Sequence, residues 1–172
     1  MRYTPKTQTW KETSRIQSER IGNLQPQVVQ VSADNLIAFM RRGGGYGRDE
    51  QGHIFRSESN DGGDTWSNAV ETEFPNPNSA VELIKLQNGH ILLVYNDSMN
   101  DRSPLTVAVS TDGAKTFPHR RNIAGGDNSF AYPYGIQAKD GKIHVIFTTN
   151  ARSTIMHAVF EEAAITGTDI QY

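Results

Sequence analysis

Short apolar runs alternate with polar turns along most of this chain, and none keeps the 3.6-residue period of a long helix. Residues 27–31 and 36–40 read as paired strands across the turn Ala33-Asp34-Asn35. Residues 53–59 and 67–72 read as a third and fourth strand. The order then repeats. Residues 81–86, the turn Gln87-Asn88-Gly89 and residues 91–95 are followed by 105–110 and a strand after Phe117. A third round has 135–138, the turn Lys139-Asp140-Gly141, 143–148 and 155–160, with a helical turn expected at 161–164. The turns carry Asn or Asp, as tight hairpins prefer. Residues 8–18, around Trp10, read as one orphan strand.

Two of these hairpins carry the same signature. Ser59-Asn60-Asp61-Gly62-Gly63-Asp64-Thr65-Trp66 has the form Ser-x-Asp-x-Gly-x-Thr-Trp. Ser110, Asp112, Ala114, Thr116 and Phe117 repeat it with Ala for Gly and Phe for Trp. Asp61 and Asp112 can accept hydrogen bonds from amides further round the turn. Gly63 can take a positive φ, and Trp66 and Phe117 restart an apolar strand. A degenerate third copy stands at Tyr3, Pro5, Thr7 and Thr9-Trp10. A repeat of this length points to propeller blades or a solenoid. The loop lacks the twelve-residue spacing and closing glutamate of a calcium hand.

These patterns predict an all-β chain. Its 172 residues form one domain, with blades at about 24–73, 78–123 and 130–170. Three four-stranded antiparallel blades are half of a six-bladed β-propeller. Three blades do not close a ring, so terminal faces and edges need cover. Either an N-terminal half is missing or two copies complete the ring as a homodimer.

Composition narrows the partners. A net charge of −2 gives no basic field for nucleic acid. Cysteine is absent, and the five histidines have no metal-ligand spacing, so no metal or cofactor is expected. No run approaches a membrane span, and the N-terminus has no apolar signal core. The compartment is therefore unassigned.

Chemistry is expected where inner strands and their loops face the propeller axis. Arg41 and Arg42 end the second strand of the first blade. Arg102 precedes the third strand of the second blade, and Arg152 takes the matching place in the third. Arginine's planar fork grips a carboxylate through two parallel hydrogen bonds. Any one alone would read as a solvated loop residue; recurrence at matching places argues for a pocket. Gly43-Gly44-Gly45-Tyr46-Gly47 lacks the lysine and helix of a phosphate loop and reads as a mobile rim loop.

The eight-residue signature resembles the Asp-box of sialidases and other Asp-box (BNR repeat) propellers. Pro75-Asn76-Pro77-Asn78-Ser79, residues 92–96, Arg102-Ser103-Pro104-Leu105, Tyr132-Pro133 and residues 140–145 extend the likeness. Together they resemble the C-terminal half of the bacterial sialidase family over about residues 20 to 165. The resemblance implies a glycoside hydrolase that removes terminal sialic acids with retention. It also implies three arginines on the sugar carboxylate and a tyrosine nucleophile polarised by a glutamate. By position, Arg41 matches the second arginine, Arg102 the third and Tyr132 the nucleophile. A neutral phenol can approach a carbon that bears a carboxylate, where a second carboxylate would be repelled.

Two departures change the expectation. The first arginine and the acid/base aspartate belong to the N-terminal half. The glutamate's place falls at Gln25, before Pro26, which is no base; Asp49 and Asp127 are the candidate substitutes. Arg152 is expected to line the pocket. One reading is a sialidase, incomplete or inactive as this chain alone. Another is a non-catalytic module that binds a sialoglycan or related acidic sugar, and a third is a purely structural half-propeller.

Overall fold

The computed structural model describes residues 1–45 and 51–167. Tyr46, Gly47 and Asp49, and the expected end of the third blade near 170, lie outside them. The chain opens with a hairpin of β1 (Arg2–Thr4) and β2 (Thr9–Lys11) that stands apart from the other sheets. The first sheet runs β3 (Asn23–Gln30), β4 (Leu36–Arg42), β5 (His53–Ser59), β6 (Val70–Pro75). The second runs β7 (Glu82–Lys85), β8 (Ile91–Asn96), β9 (Leu105–Ser110), β10 (His119–Ala124). The third holds β11 (Ala131–Gln137), β12 (Ile143–Thr149) and β13 (Thr154–Phe160), followed by the short helix α1 (Ala163–Thr166). All pairing is antiparallel, and β7 lies between β3 and β11. This is the all-β arrangement of propeller blades, inner strands together and sheets splayed outward.

Alternation along the middle sheet shows why its strands read as unbroken apolar runs. Ile91, Leu93 and Tyr95 of β8 pack toward the first sheet with Phe39, Ile54 and Phe74. Leu92 and Val94 pack the other way, with Phe130, Val145 and Phe147 of the third-sheet region. A strand buried on both faces needs apolar residues at every position. Phe74 meets Tyr95 and Phe117 edge-on, at 5.2 and 5.4 Å between ring centroids.

Both signature turns form as expected. Ser59 Oγ donates to Asp61 Oδ1 at 2.9 Å and accepts the Gly63 amide at 2.9 Å. Asp61 accepts the Thr65 amide at 2.9 Å and the Thr65 hydroxyl at 2.5 Å. The Thr65 hydroxyl and amide hold the Asp61 carboxyl down to about 2. In the second turn Ala114 occupies the glycine place with φ 63 and is fully buried. Asp112 accepts the Lys115 and Thr116 amides, each at 3.0 Å.

Three expectations need correction. The third sheet has three described strands rather than four, and α1 follows where a fourth would start. The orphan strand is the second arm of the β1–β2 hairpin: Trp10 pairs Tyr3 and stays 65% exposed. Beyond Lys11 the chain is a strap, not a strand. Trp66 donates its amide to Ser14 Oγ at 2.7 Å, and Ala69 donates to the Gln17 carbonyl at 2.7 Å. Ile16 and Ile21 then cover Ala38, Met40 and Phe55 on the far side of the first sheet. Among the described residues the far side of the third sheet has no such cover. Tyr134, Ile136, Ile146, Ile155 and Val159 share that face and are 45–63% exposed.

Candidate functional site

Register fixes which end of the sheets carries the site. Ser59 pairs Leu36 at one end of β4, while Arg41 and Arg42 stand at the other. The signature turns are thus at the opposite end from the arginines. Their residues Ser59, Asp61, Gly63, Trp66, Ser110, Asp112 and Phe117 build hairpins and seams.

At the arginine end, neighbouring residues part company. Successive side chains of a strand face opposite ways. Arg42, 2% exposed, donates Nε to the Asn76 carbonyl at 2.8 Å and Nη1 to the Gly43 carbonyl at 3.1 Å. It ties loops together. Arg41 donates Nη1 to Gln25 Oε1 at 2.6 Å and Nε to Asn78 Oδ1 at 2.5 Å. Gln25 has φ 45, at a bulge in β3 between Leu24 and Pro26.

Asn78, with φ 57, joins the first two blades. Its side chain holds Arg41, and its carbonyl accepts Arg102 Nη2 at 3.1 Å. The Arg102 guanidinium then lies 5.5 Å from the centroid of the Tyr132 ring. That of Arg152 lies 5.4 Å from the same centroid. Neither Arg102 nor Arg152 forms an ion pair among the described residues. Tyr132 is 37% exposed, with φ 53 at a bulge in β11. Its phenol is pulled below the ordinary value, first by hydrogen bonding to Arg102, with the charges of Arg152, Arg102 and Arg41 adding; partial burial opposes them. Arg152 ends a 3-10 turn, Asn150–Arg152, whose three residues all have left-handed φ of 48, 52 and 71. Asn128 anchors that turn: its Nδ2 donates to Asn150 Oδ1 at 2.8 Å.

Arg41, Arg102, Arg152 and Tyr132 therefore come together, and Gln25 reaches the cluster through Arg41. Asp127 lies in a cleft beside it and makes no hydrogen bond to Tyr132 among the described residues. This cleft, about 1010 Å3, is lined by loop residues of the second and third blades, including Asp101, Arg102, Asp127, Asn128 and Arg152. Among the described residues no three of His, Asp and Glu gather as a metal site. Sequence reasoning missed Asn78, Asn128 and a buried carboxyl, Glu82, on the inner strand β7. Glu82 accepts the Gly135 amide, and desolvation pushes its carboxyl up to about 7.

Residues 2–145 match the family model described as a BNR repeat-like domain. The chain belongs to this family. Comparison with curated proteins gives no match. Among solved structures, the NanB sialidase of Streptococcus pneumoniae superposes with a TM-score of 0.73 at 18% identity, over 92% of this chain and 26% of that one. A Hadza microbial sialidase gives 0.65 at 20% identity, over 83% and 28%. An α-L-arabinofuranosidase of Fusarium graminearum gives 0.58 at 17% identity, over 80% and 45%. This BNR-family chain thus has the sialidase propeller fold and spans about a quarter of the two sialidases. The arabinofuranosidase shows that the fold alone does not choose the sugar.

Proposed function

We propose that this chain recognises the carboxylate of an acidic sugar of the sialic-acid type, through Arg102, Arg152 and Arg41 around Tyr132. The observation that carries the reading is the pair of guanidiniums 5.5 and 5.4 Å from the Tyr132 ring centroid, with no carboxylate paired to either among the described residues. Two cations held at one exposed phenol make an anion site. Their planar forks suit a carboxylate better than a point charge would. Gln25 fits this reading, since its carbonyl oxygen steers Arg41 without adding a competing negative charge.

Isothermal titration with sialic acid and its dehydrated analogue tests it. Arg102→Ala should cost about 2–3 kcal/mol of binding, the worth of a charge-assisted pair in a partly desolvated site. A variant that binds as well as the parent, or a parent that binds neither ligand, would overturn it.

Retaining hydrolysis is the second reading, favoured by the lowered Tyr132 phenol. Its oxygen would bond to the anomeric carbon as the aglycone leaves, and water would then cleave the glycosyl–tyrosine bond. That route needs a base for the phenol and an acid for the leaving oxygen. Gln25 cannot take a proton, and no carboxylate hydrogen-bonds Tyr132 among the described residues. Release of the fluorophore from a fluorogenic sialoside separates turnover from binding. The uncovered face of the third sheet further supports a partner blade, supplied by a second copy or by additional chain.

A further inference from the structure

The histidines have no metal-ligand spacing in the sequence, but the third sheet brings two of them together across thirteen positions. His144 on β12 pairs Val159, and His157 on β13 pairs Ile146. The two are therefore diagonal neighbours on one face, within reach of each other's rings. His144 Nδ1 and His157 Nε2 stand 3.1 Å apart. They share the uncovered face of the sheet, and the residues opposite them in register are Ile136, Ile146 and Val159. Neither ring belongs to the Tyr132 cluster. We propose that His144 and His157 form a two-imidazole site for one divalent transition-metal ion of the zinc, copper or nickel class.

Three features carry it. The first is separation. Two nitrogens 3.1 Å apart, each about 2.0–2.1 Å from one ion, subtend about 100° at it, close to the tetrahedral angle. The second is ligand type. Neutral imidazole suits zinc, copper and nickel, whereas magnesium and calcium want oxygen, and no carboxylate stands opposite either ring in register. The third is freedom. His157 is exposed and His144 half-buried, so the rings can turn to aim both lone pairs at one ion outside the sheet. Without metal, one ring donates its N–H to the other. With metal, each ring carries its proton on its other nitrogen, Nε2 of His144 and Nδ1 of His157, so a neutral pair need release none. Among the described residues no third His, Asp or Glu joins the pair. The chain thus supplies two ligands, and water fills the remaining positions.

Calorimetry of the 172-residue chain with Cu2+ and with Zn2+ alone tests the proposal, with Mg2+ as the oxygen-seeking comparison. Each transition ion should bind at one per chain with a Kd of about 1–200 µM, as half of a four-ligand zinc set would give. Mg2+ should show no binding at these concentrations. His144→Ala and His157→Ala should each weaken Cu2+ binding about tenfold or more, because the second bond of a chelate forms at high effective concentration. His119→Ala, on β10, should leave it unchanged. Pulsed electron paramagnetic resonance of the parent with equimolar Cu2+ should show two coordinated imidazoles, and this reading does not depend on how a variant folds. One imidazole or none on the parent's Cu2+ would overturn the site. So would affinity unchanged in both single variants, or Zn2+ and Cu2+ binding no tighter than Mg2+.

Discussion

Glu82→Gln isolates the cost of a carboxyl buried where two inner strands meet. Glu82 is 4% exposed, its Oε2 finds no hydrogen-bond partner among the described residues, and its one support is the Gly135 amide. Desolvation wins over that bond and raises the carboxyl from 4.5 to about 7. A raised value means that the folded state holds its proton more tightly than the unfolded state. The extra stability is present below pH 4.5 and is lost as pH rises to about 7. At about 1.4 kcal/mol per unit, the whole shift corresponds to about 3 kcal/mol. Glutamine has nearly the same shape and never ionises. Urea unfolding followed by tryptophan fluorescence from pH 4 to 8.5 should therefore show the variant gaining on the parent by about 3 kcal/mol across that window, and flat above it. Every other ionisable group is common to both proteins and largely cancels in the difference. A difference between variant and parent that does not change with pH, or that falls as pH rises, would refute the assignment of a neutral buried carboxyl.

Gly135→Ala should cost about 1–3 kcal/mol in the same unfolding assay, because a Cβ there would stand 2.6 Å from Ile84 Cδ1 and 3.0 Å from the His144 carbonyl. The cost should be non-additive with Glu82→Gln, since Gly135 supplies the carboxyl's one hydrogen bond. Asp112→Ala should lower stability by about 1–2 kcal/mol through the Lys115 and Thr116 amides it strands, and should leave sialic-acid binding intact as measured by calorimetry. The purified chain should associate at micromolar concentration in light scattering, and Ile146→Lys, in the middle of the uncovered third-sheet face, should weaken that association; a parent that stays monomeric would refute the face as an interface.

The signature turns were legible because their chemistry is local. Ser59, Asp61, Gly63 and Thr65 satisfy one another within seven residues. Most strands were legible too, because burial on one or both faces writes itself as alternation or as an unbroken apolar run. The N-terminal strap was not. Residues 12–22 have no strand period, and their bonds run to partners such as Asp64 and Ala69, some fifty residues away. The stretch around Trp10 reads as an orphan strand because its partner is not apparent from the pattern; that partner is the nearby Tyr3 strand. That the third sheet has three strands among the described residues has a trace in the sequence, since no signature turn follows Phe160.

The site was legible in its charges and not in its scaffold. Arg41 and Arg42 looked equivalent, yet the two-residue period of a strand already required them to diverge, and that signal could have separated them. Asn78 carries no local mark of its role, because it joins Arg41, 37 positions earlier, to Arg102, 24 positions later. Its conformation offers a better guide. Among the described residues eight non-glycine residues have positive φ; six of them are Gln25, Asn78, Tyr132, Asn150, Ala151 and Arg152, all of them members or neighbours of the arginine cluster. Such conformations cost on the order of 1–3 kcal/mol each and persist only where the surroundings over-determine them. Here the surroundings are the two blade seams: Asn78 bridges the first, and the Asn128–Asn150 pair spans loops beside the second. The apolar packing that makes three sheets one body is thus also what holds Tyr132 and its arginines in backbone positions that no local sequence preference would choose.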